Sequence, residues 1–393
     1  MGIINADLIV CGGGTAGLPA ALAAARAGAS VAVIEEDASL GGATADQYIQ
    51  MFCGRPYQGI LLELKEKTRS FAPTVRDNTF RSSAALLAYQ EFFRGLPVTF
   101  HTRQRIVKVE LNCSSIVAVE SDTERFEGKA FIDATGDGSV AALAGIPFRF
   151  GREAASEFDE EFAPPAADRK IQRCTLMYTV KRLPDAPDAD TRGIVLLDED
   201  EGLIWGPSVV CGDTTDPSLL AKAQEEAFAM MPAEVERWRA RGFFVSSVAP
   251  KIGVRESRRI AGLYTLSYHD IADQRVHPDS VCVVNYNIDP WDPDGNPMHD
   301  NRLKSTHMPD YEIPYRCMVN DKVDNLIVTG RCVSATHVAQ SSLRVIGVVI
   351  PLGQAAGNAA YLAVRDGKAA RDINAQELRD MQRKGGVRVS LAE

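Results

Sequence analysis

Asp7-Leu-Ile-Val-Cys-Gly-Gly-Gly-Thr-Ala-Gly-Leu-Pro-Ala-Ala21, followed at a short remove by Val31-Ala-Val-Ile-Glu35, decides how this chain is read. A short apolar run enters a Gly-x-Gly-x-x-Gly turn at Gly12, Gly14 and Gly17, an Ala-rich helix follows, and a second apolar run ends in an acid. Strand, glycine turn, helix, strand and carboxylate in that order form the context that a dinucleotide-binding fingerprint requires. Gly12 permits the tight turn, Gly14 lets backbone approach a pyrophosphate, and Gly17 lets the helix lie close to the strand. The pyrophosphate is then expected at the positive end of the helix, near Thr15 and Ala16, facing unpaired N–H groups. Glu35, with Glu36 beside it, is placed to accept hydrogen bonds from ribose hydroxyls and to repel a 2′-phosphate.

Working outward, the bulk properties narrow the class. The chain has 393 residues, 45% hydrophobic and 24% charged, with a formal net charge of −9. That length accommodates two domains with cores of their own. The acidic balance argues against a nucleic acid or an anionic membrane as partner. The longest apolar stretch, Val345 to Val364, is interrupted by Gly347, Pro351, Gly353, Gln354, Gly357 and Asn358, so no membrane span is expected. The cysteines lie far apart without a Cys-x-x-Cys, which leaves neither zinc nor an iron–sulfur cluster its usual ligand spacing. Scattered thiols and a start that lacks a signal-peptide pattern imply a cytoplasmic protein.

Further segments extend the nucleotide reading. Ser39-Leu-Gly-Gly-Ala-Thr44 offers a second close backbone approach, through Gly41, Gly42, Ala43 and Thr44. Arg105 to Glu110, which contains Val107, and Ser115 to Glu120 read as a hairpin, and Ala130 to Asp133 as a strand entering the Ala134-Thr135-Gly136 turn. Asn325 to Ser334 gives another buried strand ending in Gly330-Arg331. Beyond it, Gly353, Ala356, Gly357 and Ala360 share one helical face, expected to lie close to a sheet or a flat ring.

Taken together these segments resemble the FAD-dependent oxidoreductases of the glutathione-reductase-type superfamily. The specific resemblance is to a family marked by Asp-Ala-Thr-Gly-Asp-Gly, here Asp133 to Gly138, and by a late Gly-Arg-Cys-x-Ser-Ala-Thr-His stretch, here Gly330 to His337. Segments like its Ile-Gly-Val-Arg-Glu-Ser-Arg-Arg-Ile and Ile-Pro-Tyr-Arg-Cys also occur, at Ile252 to Ile260 and Ile313 to Cys317. The resemblance implies an α/β fold, with a Rossmann-like, three-layer FAD-binding domain and an inserted α+β substrate domain. It implies FAD, held by the turns above together with Gly330, Arg331 and Gly347. Residues 1–150 and 321–393 would form the discontinuous FAD-binding domain, and 151–320 the substrate-side domain. In the latter, Cys174 to Lys181, Gly193 to Leu197, Phe243 to Val248, Arg259 to Ser267 and Ser280 to Tyr286 read as strands. Asp216-Pro217 caps a helix expected to run to about Arg241.

Flavin chemistry is largely the cofactor's own, while the protein orients reactants and tunes charge. The stretch before the last helix therefore draws attention. His337 is the first candidate acid/base, Arg344 a candidate for holding a substrate anion or the flavin edge, and Tyr315 a proton donor. Val254-Arg-Glu-Ser-Arg-Arg259 suggests a carboxylate clamp through Arg255 and Arg258, or else a salt network at a domain interface, and Tyr311, which flanks the return to the FAD-binding domain, is a further substrate-side candidate. Asp289 to Asn296 reads as a tight turn rather than a calcium loop. His299 and His307, in the next loop, read as solvated histidines, with a place at a substrate entrance as the alternative.

The expected function is hydride transfer between a small organic substrate and flavin N5. No second Gly-x-Gly-x-x-Gly follows a strand in residues 151 to 320, so a dedicated NAD(P)H domain is not expected and the electron donor or acceptor stays open. An aromatic-hydroxylase-type monooxygenase is the alternative, although Gly330-Arg-Cys-Val departs from the Gly-Asp-Ala-x-His-like stretch of those enzymes. A non-catalytic flavin-binding or RNA-modification module is a third class, disfavoured by the charge. The resemblance leaves a homodimer, paired through the inserted domain, as the candidate assembly.

Overall fold

The computed structural model describes residues 2–294 and 308–393, so His299 and His307 lie outside the described residues. At its centre five parallel strands lie side by side, in the spatial order Leu326–Val328, Ala130–Asp133, Leu8–Cys11, Val31–Ile34 and Val98–His101. The first four are buried along their whole length, which is why they read as unbroken apolar runs rather than alternating ones. The outermost, Val98–His101, keeps partial contact with water, as an edge strand can. A parallel sheet of this kind needs cover on its faces, and the helices Gly17–Ala27 and Ile346–Asp366 belong to the main apolar core that supplies it.

Those two helices meet backbone to backbone. A Cβ added at Gly353 would come within 2.2 Å of the Ala16 carbonyl oxygen, and one at Gly357 within 2.1 Å of that of Ala20. The small-residue face was expected against a sheet or ring; its partner is instead the first helix, because only glycine lets two helices approach this closely. By length and composition helix Ile346–Asp366 could cross a membrane, but 94% of its apolar window is buried inside the protein.

A four-stranded sheet, Gly2–Asn5, Glu124–Glu127, Ser115–Glu120 and Lys108–Asn112, adjoins the central one. The hairpin therefore starts three residues later than the sequence pattern suggested, at Lys108 rather than Arg105. Between residues 174 and 248 the chain forms an antiparallel sheet in the order Val195–Leu196, Glu201–Val209, Cys174–Arg182, Phe243–Val248. Helices Pro217–Ala229 and Met231–Arg239 pack on it, with Trp238 buried and its indole donating to the Tyr178 hydroxyl at 2.5 Å.

Two expectations need correction. The single helix to about Arg241 is two helices: Pro232, which has no N–H to donate, sits in the first turn of the second, where none is needed. Of Arg259 to Ser267 only Arg259–Ile260 is strand, paired with Phe148–Arg149. The next N–H groups donate to carbonyls of separate segments, Ala261 to Pro147, Leu263 to Val319 and Leu266 to Ser334, so no ladder forms. The stretch before the long helix, to which the sequence pattern assigned no element, is itself helical, His337–Leu343, capped by the Thr336 hydroxyl accepting from Ala339 N–H.

Candidate active site

One cavity of about 1620 Å³ runs from the carboxyl ends of the central strands to the antiparallel sheet. It exceeds the roughly 300–1,000 Å³ of an ordinary small-molecule pocket, which gives room for an elongated ligand and a second molecule.

Its first end is made of main chain. Gly12 (φ 105°) turns the chain so tightly that a Cβ there would sit 2.4 Å from the Ala134 carbonyl oxygen. Gly14 and Gly42 face each other across the lining with little between them. Thr15, Ala16, Ala43, Ala134, Thr135 and Gly136 line the same end, as do Glu35, Glu36 and Val107. The Glu35 carboxylate is buried and accepts from the N–H groups of Gly13 (2.8 Å) and Asp37 (2.9 Å), which leaves a lone pair on each oxygen for a ligand. Burial raises its pKa above the ordinary carboxylate value, partly offset by those two hydrogen bonds.

Several residues read from the sequence as ligand contacts support this end from behind instead. Gly17 lies outside the lining, and a Cβ there would overlap the Gly12 carbonyl oxygen at 1.8 Å. The Gly41 N–H donates to the Gly13 carbonyl at 2.8 Å, and Thr44 turns its hydroxyl onto the Gly41 carbonyl at 2.7 Å. Gly347 packs on Cys53, donating its N–H to that carbonyl at 2.6 Å. These four are corrected from contact to support, because their own packing neighbours fill the space a ligand would need.

The residues here fit a phosphate-bearing dinucleotide. The Thr15 hydroxyl and the Arg331 Nε are buried with no hydrogen-bond partner among the described residues, and both residues line the cavity. Arg331 is held in place by a 2.7 Å ion pair with Asp137 and lies over Gly136, beside Gly330 in the lining. Two helix N-termini open onto the cavity, Ala16 before Gly17–Ala27 and Val345 before Ile346–Asp366, each bringing the positive end of its helix dipole to the lining.

The second end is made of side chains. Arg344 pairs with Asp289 at 3.1 Å and donates through Nε to Gln172 Oε1 at 3.2 Å. Arg255 donates to the Arg173 carbonyl (2.8 Å) and the Thr175 hydroxyl (2.7 Å), with its guanidinium 3.7 Å above the Trp291 ring. Tyr286 and Cys53 sit beside each other on the same stretch of lining. Burial, reinforced by Asp289, pushes the Cys53 thiol up to about 11, so it is protonated at neutral pH. Burial and the neighbouring Cys53 and Asp289 likewise hold the Tyr286 phenol well above its ordinary value. Met177, Ile204 and Trp205 continue the wall outward.

Three of the catalytic and substrate candidates do not reach the cavity. Tyr315 is buried and its hydroxyl donates to the Ala370 carbonyl at 2.8 Å. Tyr311 is buried against Ser342, with 2.8 Å between their hydroxyl oxygens. His337 is buried too, with Nδ1 2.9 Å from Glu256 and its backbone N–H on Glu153. Each ring is walled off by its hydrogen-bond partner, so none is placed to exchange a proton with a ligand. Arg258 lies on the lining but spends its donors on the Asp137 carbonyl and the Thr215 hydroxyl. Arg344 and Arg255 alone of the six reach the second end.

His337 belongs to a buried charge network. Glu256, fully buried, faces His337 and Arg259, and Arg259 also reaches Glu153 at 2.6 Å. Burial alone would raise the Glu256 pKa, but the facing His337 and Arg259 hold it below the ordinary value. The other Glu256 oxygen accepts from Gln172 N–H at 3.0 Å, and the Gln172 side chain in turn receives Arg344.

The sequence reading passed over Tyr286, Cys53, Asp289 and Trp291 as parts of a site. The one signal available was Asp289-Pro-Trp291, an aromatic and an acid in a turn, and nothing local says that the turn folds inward.

Residues 7–206 and 218–382 match the profile of a family described as FAD dependent oxidoreductase. No curated protein matches the chain by sequence. Among solved structures the chain is similar to the geranylgeranyl bacteriochlorophyll reductase-like protein of Thermoplasma acidophilum, at 11% identity and TM-score 0.45, covering 98% of this chain and 83% of that one. It is similar to pqsL, a probable FAD-dependent monooxygenase from Pseudomonas aeruginosa, at 14% identity and TM-score 0.43, covering 97% and 91%. It is also similar to the OxyS anhydrotetracycline hydroxylase from Streptomyces rimosus, at 14% identity and TM-score 0.45, covering 96% of this chain and 65% of that one. Likenesses this distant say nothing about substrate.

Proposed function

The chain belongs to the FAD-dependent oxidoreductase family, and on that premise we propose that it dehydrogenates or reduces a small organic molecule, the bound FAD supplying hydride chemistry at N5. The observation that carries this reading is the continuity of the cavity: a main-chain cradle suited to a dinucleotide opens without a partition onto a side-chain-lined end. In this reading the glutathione-reductase-type FAD-binding part comprises residues 1–150 and 321–393, and residues 151–320 supply the substrate side. The pairing of Leu326–Val328 with Ala130–Asp133 supports that division.

Gly12, Gly14, Gly42 and Gly136 would let the backbone approach the pyrophosphate, Glu35 would take the ribose, and Thr15 and Arg331 would satisfy their unpaired atoms on the cofactor. The N-terminus of helix Ile346–Asp366 would favour negative charge at the ring end of the cavity. Tyr286 Oη, protonated and seated beside Cys53, replaces His337 and Tyr315 as the group that holds the proton the substrate gives or takes. Arg255 and Arg344 would orient the substrate.

Release of FAD from denatured, yellow protein, followed by anaerobic bleaching with a metabolite panel, tests the proposal. Bleaching by a small organic substrate without a pyridine nucleotide is the expected result. Rapid bleaching by NADPH only when an effector is present would move the protein to the monooxygenase class.

A further inference from the structure

The three arginines of Arg255-Glu-Ser-Arg-Arg259 have three different fates, and the difference bears on the substrate. Arg259 is buried and neutralised by Glu256 and Glu153. Arg258 donates to a carbonyl and a hydroxyl and lies over the Phe148 ring at 5.3 Å. Arg255 has no ion pair among the described residues, and both of its hydrogen bonds leave from the same nitrogen, Nη1. Its Nε and Nη2, the two donors that a carboxylate takes side by side, make no bond among the described residues. The stack on Trp291 fixes the plane of the fork, so little motion is lost when an anion docks.

The surroundings define the rest of the ligand. Burial, and Arg344 close by, press the Arg255 pKa downward, the mark of a cation short of negative partners. Asp289 pairs with Arg344, so among the described residues two guanidiniums at this end are set against one carboxylate, which suits one further negative charge. Thr175, which accepts from Arg255, lies on the same strand as Met177, whose cross-strand partner is Trp205. Met177, Trp205 and Ile204 all line the cavity, so the wall turns from cationic to apolar. A ligand charged throughout would leave this wall unmatched.

Resting on the flavoenzyme reading above, we propose that the substrate is a small carboxylic acid with an apolar body: its carboxylate docks on Arg255, beside Arg344, and its body lies along Met177, Ile204 and Trp205.

The test uses FAD-replete protein, its flavin content measured first by release on denaturation. Benzoate, phenylacetate and 3-phenylpropionate are titrated against their primary amides by calorimetry and by perturbation of the flavin absorbance. At least one acid should bind about tenfold or more tightly than its amide. R255M should abolish that preference while keeping flavin content and unfolding temperature; a merely structural Arg255 would lower stability and leave the acid-to-amide ratio alone. If R255M fails to fold, R255K serves, with the charge kept but the fork lost and the preference reduced. Yellow protein that binds no acid better than its amide overturns this inference and leaves the flavoenzyme reading intact. Protein that stays colourless with added FAD removes the flavoenzyme reading, and this one with it.

Discussion

The two ends of the cavity are built from different material. The nucleotide end is main chain: strand ends, glycine turns and helix N-termini, where positions are fixed by sheet hydrogen bonds and by the absence of Cβ atoms. The other end is side chain: Arg255, Arg344, Tyr286 and Trp291 come from separate segments, with Arg255 held over the Trp291 ring and Arg344 aimed by a buried polar network through Gln172 and Glu256. A backbone-built wall tolerates substitution wherever an added carbon finds space. A network-built wall fails when any one charge in it is removed.

The strongest challenge to that contrast is Glu256→Ala. It leaves Arg259 and His337 short of a buried carboxylate and should cost about 3–5 kcal/mol, read by urea unfolding. A loss below about 1 kcal/mol would mean that the substrate end does not rest on charge. The same residue sets a pH dependence. Its native pKa is depressed, so its contribution is present above the ordinary glutamate range and is lost as pH falls through the native value. Glu256→Gln should flatten that acid limb of the stability profile.

Tyr286→Phe should slow anaerobic flavin reduction by a true substrate about a hundredfold or more, with FAD content unchanged. An unaltered reduction rate would take the Tyr286 hydroxyl out of the reaction. Gly357→Ala forces a methyl against the Ala20 carbonyl and should lower stability by about 1–3 kcal/mol, seen as a lower melting temperature. The finest distinction comes from Gly14→Ala, where the added carbon meets Gly42 Cα at an ordinary 3.7 Å. Melting of the apoprotein should hold while FAD affinity falls about tenfold, measured by flavin fluorescence quenching. Equal losses of stability and affinity would show that the turn is structural only.

The same contrast explains what could be read in advance. Gly12, Gly14 and Gly17 encode their end of the cavity within six consecutive positions, because backbone geometry is local, and the strands around Leu8, Val31 and Ala130 followed from apolar runs. The substrate end joins Cys53, Arg255, Tyr286 and Arg344, whose meeting depends on how distant segments pack. Residue type nominated His337 and Tyr315 because imidazole and phenol carry protons. It could not tell that Glu256 and the Ala370 carbonyl occupy them. Nor could it divide Arg255 from Arg259, four residues on, since burial and the facing carboxylates decide which of them stays available.

The glycine seam between helices Gly17–Ala27 and Ile346–Asp366 has a consequence for what the cavity will accept. Because the two rods are locked at Gly353 and Gly357, their tips, at Ala16 and at Val345, keep a set separation, like the jaws of a calliper. An occupant carrying electron-rich groups at both jaws is measured before any side chain touches it, and one that is too short can satisfy only one of them.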